Sequence, residues 1–343
     1  MIWLRAVHVG DASAAPADAC GRLCGVETQR NELAATGEFG LIDAIVDRMP
    51  AGPHSLLGPG DDAAVVAVPD GRVVACTDVL VDGRHFRRDW SSAEDVGHRA
   101  AAANLADVAA MGARPTALLL GLCVPPDLPV SWVEELADGI AAEAAVAGAG
   151  VVGGDTVSAP SLTIAITALG DLGGRPPVTR SGARPGDLLA VNGRLGWAAA
   201  GQTILSRGFR SPGALVAAHR RPEVDYGAGF HAARAGATAM IDVSDGLLAD
   251  LGHVAAASKV SIDVDSSAVE VTDQLRDTAH ALGVDPLAWV LTGGDDHALV
   301  ATFPPGSPPG AGWRLIGRVG DGIDVTVDGE DYEGATGWDH FRS

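Results

Sequence analysis

The chain carries a single lysine, Lys259, in 343 residues. That scarcity excludes any mechanism that needs a lysine elsewhere, including the GxxxxGK[ST] phosphate loop and protein-kinase machinery. Positive charge is short in general. Lysine and arginine together number 24 against 44 aspartates and glutamates, a formal charge of −20. Binding to a nucleic-acid backbone is thereby excluded, and an anionic substrate would need metal ions as mediators. Aromatic residues make up 4%, which leaves packing to small side chains held close together. The four cysteines, Cys20, Cys24, Cys76 and Cys123, are too few and too irregularly spaced for a disulfide framework. Cys20 and Cys24 lack a second pair to complete a zinc site, and a reducing cytoplasm is the expected compartment. No apolar run approaches the roughly 20 residues of a membrane span; the longest, Ala117 to Val124, suits a buried strand. Met1 to Gly10 has no continuous apolar region of the kind a signal peptide needs.

Hydrophobic content of 47% over this length is enough for two domains. Residues 1–36 read as a loose extension, 37–172 as an N-terminal domain and 173–343 as a C-terminal one, with the boundary in the Gly- and Pro-dense stretch Gly170 to Pro177. A helix is expected from Glu38 to Arg48, where Phe39, Ile42, Ile45, Val46 and Met49 share a face. Two strands, Ala63 to Val68 and Arg72 to Thr77, flank the turn Pro69-Asp70-Gly71 and predict a β-hairpin. Ser91 and Glu94 form an S-x-x-E capping box that opens an alanine-rich helix ending near Gly112. A strand at Thr116 to Cys123, a helix at Ser131 to Ala147 and a strand at Leu162 to Leu169 complete an α+β half. The second half has strands at Leu188 to Val191, Ala239 to Val243, Ser261 to Val264 and Ala298 to Phe303 between helical segments, an α/β or α+β pattern.

Aspartates recur at element ends. If Val68 and Arg72 flank a three-residue turn, Asp62 falls opposite Asp78. Two carboxylates about 5 Å apart repel by about 3 kcal/mol at an effective dielectric of about 20, so a divalent cation is the economical explanation. Asp61 points the other way along the strand and is a secondary candidate. Thr77 offers hard oxygen ligands, whereas Cys76 could help only through its carbonyl. Asn104 and Asp107, three residues apart on the alanine-rich helix, share a face that can reach toward the hairpin. In Ile241-Asp242-Val243-Ser244-Asp245-Gly246 a strand meets a helix, with Asp242 and Ser244 on one strand face at a strand end, a common place for ligands; the alternative is that Ser244 or Asp245 caps the helix. Thr292-Gly293-Gly294-Asp295-Asp296 reads as a turn. Gly148 to Gly153 matches GxGxxG, but a helix precedes it and a strand follows, the reverse of the order dinucleotide binding requires. No nucleophile-elbow motif accompanies the serines and histidines.

Several motifs occur in a fixed order: Gly37-Glu38-Phe39, Gly60-Asp61-Asp62-Ala63, Thr77-Asp78 with Gly83 and His85-Phe86, Asn104-Leu105-Ala106-Asp107, and Ala110-Met111-Gly112-Ala113. Gly153-Gly154-Asp155-Thr156, Thr179-Arg180-Ser181-Gly182-Ala183, Asp242-Val243-Ser244-Asp245-Gly246, Gly293-Gly294-Asp295-Asp296 and Gly337-Trp338-Asp339-His340-Phe341 follow. In that order and spacing the chain, from about residue 37 onward, resembles the thiamine-monophosphate kinases. The resemblance implies a two-domain aminoimidazole-ribonucleotide-synthetase-like fold. Its N-terminal mixed-sheet domain would join a second copy at a homodimer interface, and its C-terminal domain would be α/β. It implies transfer of phosphate from ATP to thiamine monophosphate with Mg²⁺. Asp62, Thr77, Asp78, Asp107, Asp155, Asp242 and Asp245 would be metal ligands, with Cys76 contributing at most its backbone. Gly154, Asp155, Arg180 and Ser244 would contact ATP, and His85, Asp295 and Trp338 would hold thiamine monophosphate. Asp78, Asp107 and Arg180 would carry the chemistry. The family more often has Glu at Asp295 and Ser at Cys76. Other readings are another ATP enzyme of the same fold or a non-catalytic thiamine-phosphate or nucleotide-binding protein.

Overall fold

An alanine-rich helix, α2 (Ala93–Ala110), runs through the middle of the molecule in a computed structural model that describes residues 33–50, 52–59, 63–307 and 309–338. Its small side chains let neighbours approach on several sides. At Gly97 a Cβ would lie 2.2 Å from the Leu136 carbonyl, and at Gly139 on the facing helix 2.2 Å from that of Glu94. Alanine at either glycine would drive the two helices apart. The capping box sits one residue later than the sequence pattern suggested: Ser92 Oγ accepts from Asp95 N and Asp95 accepts from Ser92 N, both at 3.1 Å. Aspartate at the third helical position closes the same reciprocal pair that Glu94 was expected to make.

The first half comprises α1 (Leu33–Arg48), β1 (Ser55–Leu57), β2 (Val65–Val66), β3 (Val74–Val81), α2, β4 (Arg114–Val124), α3 (Val130–Ala147), β5 (Gly150–Ser158) and β6 (Thr163–Asp171). α1 begins at Leu33, inside the expected extension, and kinks at Gly37, where φ is 73°. Ile42, Ile45 and Met49 are buried as its periodicity required, Val46 is only partly buried, Leu41 is buried beside them, and the Phe39 side chain lies outside the described set. A four-stranded sheet runs β3-β6-β4-β5, parallel only between β4 and β5, which α3 connects. One face packs on the helices through residues such as Leu118, Leu120, Ile164 and Ile166. The other carries Thr77, Val79, Leu119, Asp155 and Val157, all exposed.

The expected hairpin does not form. β2 pairs with β1, and β3 pairs with β6 over eight residues, so Asp78 faces Ile166. The turn survives as a Gly71 N to Val68 O bond of 3.0 Å. A long ladder that buries alternate side chains outweighs the local turn. Asp61 and Asp62 lie outside the described residues, as do 1–32 and 339–343.

The second half contains β7 (Leu188–Asn192), α4 (Trp197–Ser206), α5 (Gly213–Arg220), α6 (Tyr226–Ala235), β8 (Ala239–Asp242) and α7 (Leu247–Ser258). It continues with β9 (Ser261–Val264), α8 (Asp273–Leu282), α9 (Pro286–Thr292), β10 (Leu299–Phe303), β11 (Trp313–Gly320), β12 (Val325–Val327) and β13 (Glu330–Asp331). Its sheet runs β13-β12-β9-β11-β7-β10-β8, antiparallel except between β9 and β12. Both halves are therefore α+β in their pairing. Among the described residues no helix is long and apolar enough to cross a membrane.

Candidate active site

A cavity of about 620 Å³ separates the two halves. β3 and α2 wall one side; α4, α9 and the loops after β8 and before β10 wall the other. It gathers Asp78, His85, Asp107, Asp242, Ser244, Asp245, Asp295 and Trp338 from the sequence candidates. Each is delivered by a definite local device. Asp78 sits on the edge strand β3, and its backbone N–H donates to Asn104 Oδ1 at 3.0 Å. Asn104, fully buried, donates in turn from Nδ2 to Ala100 O at 3.0 Å. The polar pair Asn104 and Asp107 thus splits its work: the amide fastens β3, and the carboxylate faces the cavity.

Asp242 ends β8 and meets His297 Nδ1 at 3.1 Å. Beyond it the backbone N–H groups of Ser244, Asp245 and Gly246 all donate to Asp250 Oδ2, each at 3.1 Å. This rules out the alternative that Ser244 or Asp245 caps the helix. The cap is Gly246, without a side-chain bond, and the acceptor comes from the first turn of α7. Both residues line the cavity. The loop before β10 lies against this one, with Asp295 N donating to Ser244 O and His297 N to Val243 O, both at 2.9 Å. Gly294 permits the contact, since a Cβ there would stand 2.3 Å from Ser244 O. Asp295 and His297 take left-handed φ of 67° and 52°, backbone strain of the sort that collects at functional sites. Trp338, 60% exposed, stands at the rim, its backbone N–H donating to Asp245 O at 2.9 Å. His85 is oriented by Val81 N, which donates to Nδ1 at 3.0 Å.

Carboxylates crowd this space. Burial, then Asp242 and Asp78, push Asp107 up to about 7. His297 is raised above its ordinary value: burial opposes its charge, but the Asp242 bond and the carboxylates of Asp295 and Asp107 outweigh it. Burial and the Asp107 and Asp78 carboxylates push the Cys76 thiol up, and Sγ donates to Asn104 O at 3.3 Å. Cys76 therefore stays a neutral thiol and no thiolate ligand forms. The donor set is all hard oxygen with compressed negative charge, which fits magnesium. Asp245, Asp250 and His253 also bring ligand atoms within 4.8 Å of one another, yet Asp250 Oδ2 is taken by three backbone donors.

Four candidates stand elsewhere. Thr77 points to the uncovered sheet face, where Oγ1 donates to Ile166 O at 2.9 Å. Gly154 and Asp155 lie on β5, at the opposite edge from β3, about 14 Å away by three strand spacings. Arg180 is exposed outside the cavity, where its carbonyl accepts from Ser258 Oγ at 2.7 Å. Conversely, the cavity contains Arg84, Arg99, Gln202, Thr203 and His297, none of which motif spacing singled out. Arg99 carried one signal, eight residues before Asp107 on an otherwise alanine-lined stripe with Ala103.

Residues 60–172 match the family model "AIR synthase related protein, N-terminal domain". The chain is 51% identical over 318 residues to the thiamine-monophosphate kinase of Mycobacterium tuberculosis (strain ATCC 25618 / H37Rv), spanning 92% of this chain and 94% of that protein. The crystal structure of thiamine-monophosphate kinase from Stenotrophomonas maltophilia K279a is similar at TM-score 0.76 and 35% identity, over 85% of this chain and 96% of that one. AaThiL, solved complexed with AMPPCP and TMP, is similar at TM-score 0.75 and 35% identity, over 89% and 97%. At this identity and coverage, the chain belongs to the thiamine-monophosphate kinase family.

Proposed function

We propose that this chain transfers the γ-phosphoryl group of ATP to the phosphate of thiamine monophosphate in the cytoplasm, giving thiamine diphosphate and ADP. The observation that carries the reading is the convergence of Asp78, Asp107, Asp242 and Asp245 on one cavity between the domains of a family member. These four would hold Mg²⁺, and Asp62 would join them. Bound magnesium supplies charge neutralisation on the phosphates and alignment of acceptor with donor. The acceptor oxygen is already ionised at neutral pH, so no residue need remove a proton. Ser244 and Arg180 would contact ATP, with Arg180 a fixed positive charge. His85, Asp295 and Trp338 would hold the acceptor, Trp338 by stacking on a flat ring and Asp295 by its carboxylate.

We further propose a homodimer. The uncovered sheet face exposes Val79 and Val157 at 48% each, an apolar surface suited to a second copy. It also accounts for two of the candidates that lie outside the cavity, Gly154 and Asp155. Asp155 and Asp78 on one chain are too far apart to share an ion, so Gly154 and Asp155 would complete a site only when a second copy supplies the β5 edge.

Incubation with ATP, Mg²⁺ and thiamine monophosphate tests the activity, and Asp78→Asn should abolish product while preserving the fold; near-normal turnover in that variant sinks the assignment. Co-expression of Asp78→Asn with Asp155→Asn tests the shared site. Random pairing of two inactive chains should restore about a quarter of wild-type activity, because half the dimers regain one intact site. No restoration places both residues in the same chain's site and removes the argument.

A further inference from the structure

Arg99 is the cavity feature that the family roles leave without an assignment. Its side chain is only 9% exposed and crosses from α2 to the opposite domain, where Nη2 meets Asp295 Oδ2 at 2.7 Å. Nη1 donates to His219 O at 2.9 Å, so the guanidinium is held at two points. The loop it grips is fixed from behind by the Asp295 N to Ser244 O bond. Asp295 thus has its backbone set by one domain and its carboxylate set by the other. Burial and Arg99 lower His219 to about 3, which keeps that ring neutral beside the pair. Arg99, Ala103 and Asp107 follow one another along the cavity wall at four-residue steps, so Arg99 and Asp107 stand about 12 Å apart along the helix axis.

We propose that Arg99 is a positioning residue that sets acceptor specificity by fixing the Asp295 carboxylate. The inference rests on the reading that thiamine monophosphate is the acceptor. Such a molecule is anionic at one end and bears amino-substituted and cationic rings at the other. The acidic cluster, with its metal, takes the phosphate end; Asp295, with one oxygen committed to Arg99, offers the other to the ring end. Aspartate is one methylene shorter than glutamate, and the long arginine reaches across to hold it.

The test uses the full-length protein and two acceptors: thiamine monophosphate and the shorter phosphate ester of hydroxyethylthiazole, which lacks the pyrimidine ring. Arg99→Met should raise KM for thiamine monophosphate about tenfold while KM for ATP stays within about twofold, because only one substrate uses Asp295. The kcat/KM preference for thiamine monophosphate over the thiazole phosphate should fall about tenfold, and Arg99→Lys should recover part of it. Adding Asp295→Asn to Arg99→Met should cost little more, as expected for residues acting as one unit. A change in both KM values alike, or an unaltered preference between acceptors, overturns the proposal. If Arg99→Met fails to fold, Arg99→Lys decides by the same split, since it keeps charge and bulk but not the two-point hold. Absence of thiamine diphosphate with the wild-type chain instead overturns the acceptor reading itself.

Discussion

Replacing Asn104 by alanine should damage the site without touching any group that faces the cavity. The amide is fully buried, and its Oδ1 is the acceptor for Asp78 N at 3.0 Å. Alanine leaves that N–H, on the edge of the sheet, without a partner, at a cost of about 2 kcal/mol. The Ala100 carbonyl loses only a second donor, because it already accepts the helical bond, so the N–H dominates. If the 343 residues unfold as one unit, an unfolding entropy of about 0.7 kcal/mol/K converts this to a fall in Tm of about 3 °C. The larger effect falls on turnover. β3 would lose the contact that fixes Asp78, and a displacement of about 1 Å in a positioning group costs about 100-fold in rate. Differential scanning calorimetry and steady-state kinetics at saturating Mg²⁺ read both numbers. An Asn104→Ala chain with wild-type kcat would refute the argument that this amide positions Asp78, and an unshifted Tm would refute the buried-donor reasoning.

Three further outcomes follow from the same contacts. Asp250→Ala strips the acceptor from the backbone donors of Ser244, Asp245 and Gly246, and chemical denaturation should show a loss of about 3 kcal/mol with a raised Mg²⁺ requirement; unchanged values on both counts contradict the role given to Asp250. Asp107, Asp250 and Asp296 are each pushed up to about 7, chiefly by burial, so their neutral forms favour the folded chain. That contribution is full below their unfolded value near 4 and is lost as pH rises through about 7. The metal-free Tm should therefore fall from pH 5.5 to pH 8, Mg²⁺ should restore it, and Asp107→Asn should flatten the fall; a rise over that range reverses the sign of the argument. Trp338→Ala removes an exposed rim ring rather than core, so KM for thiamine monophosphate should rise about tenfold with Tm within about 1 °C. A large drop in Tm would make Trp338 structural.

Strands β7 to β10 were legible within one or two residues, because each is a short apolar run bounded by turn residues. The family motifs placed Asp78, Asp107, Asp242, Asp245 and Asp295 as candidates, and the fold brings all five to one cavity. What local pattern could not convey was pairing between distant segments. Pro69-Asp70-Gly71 is a genuine turn, yet β3 leaves it for β6, some ninety residues later, where burial of alternate side chains sets the register. The same limit hid Asp250, whose acceptor role depends on the first turn of α7 folding back on its own entrance. It hid Arg99 as well, because an arginine in an alanine-rich helix declares no partner until Asp295 is brought across from the other domain. Spacing reveals which residues share a face; only the tertiary fold reveals what that face meets.

The central claim is direct transfer from ATP to thiamine monophosphate in this cavity. A single-turnover quench with ATP labelled at the γ-phosphorus tests it most directly. Label should pass into thiamine diphosphate at the rate ATP is consumed, with one ADP per product and none retained on protein. Label released as inorganic phosphate, trapped on the chain, or absent from thiamine diphosphate would contradict the account.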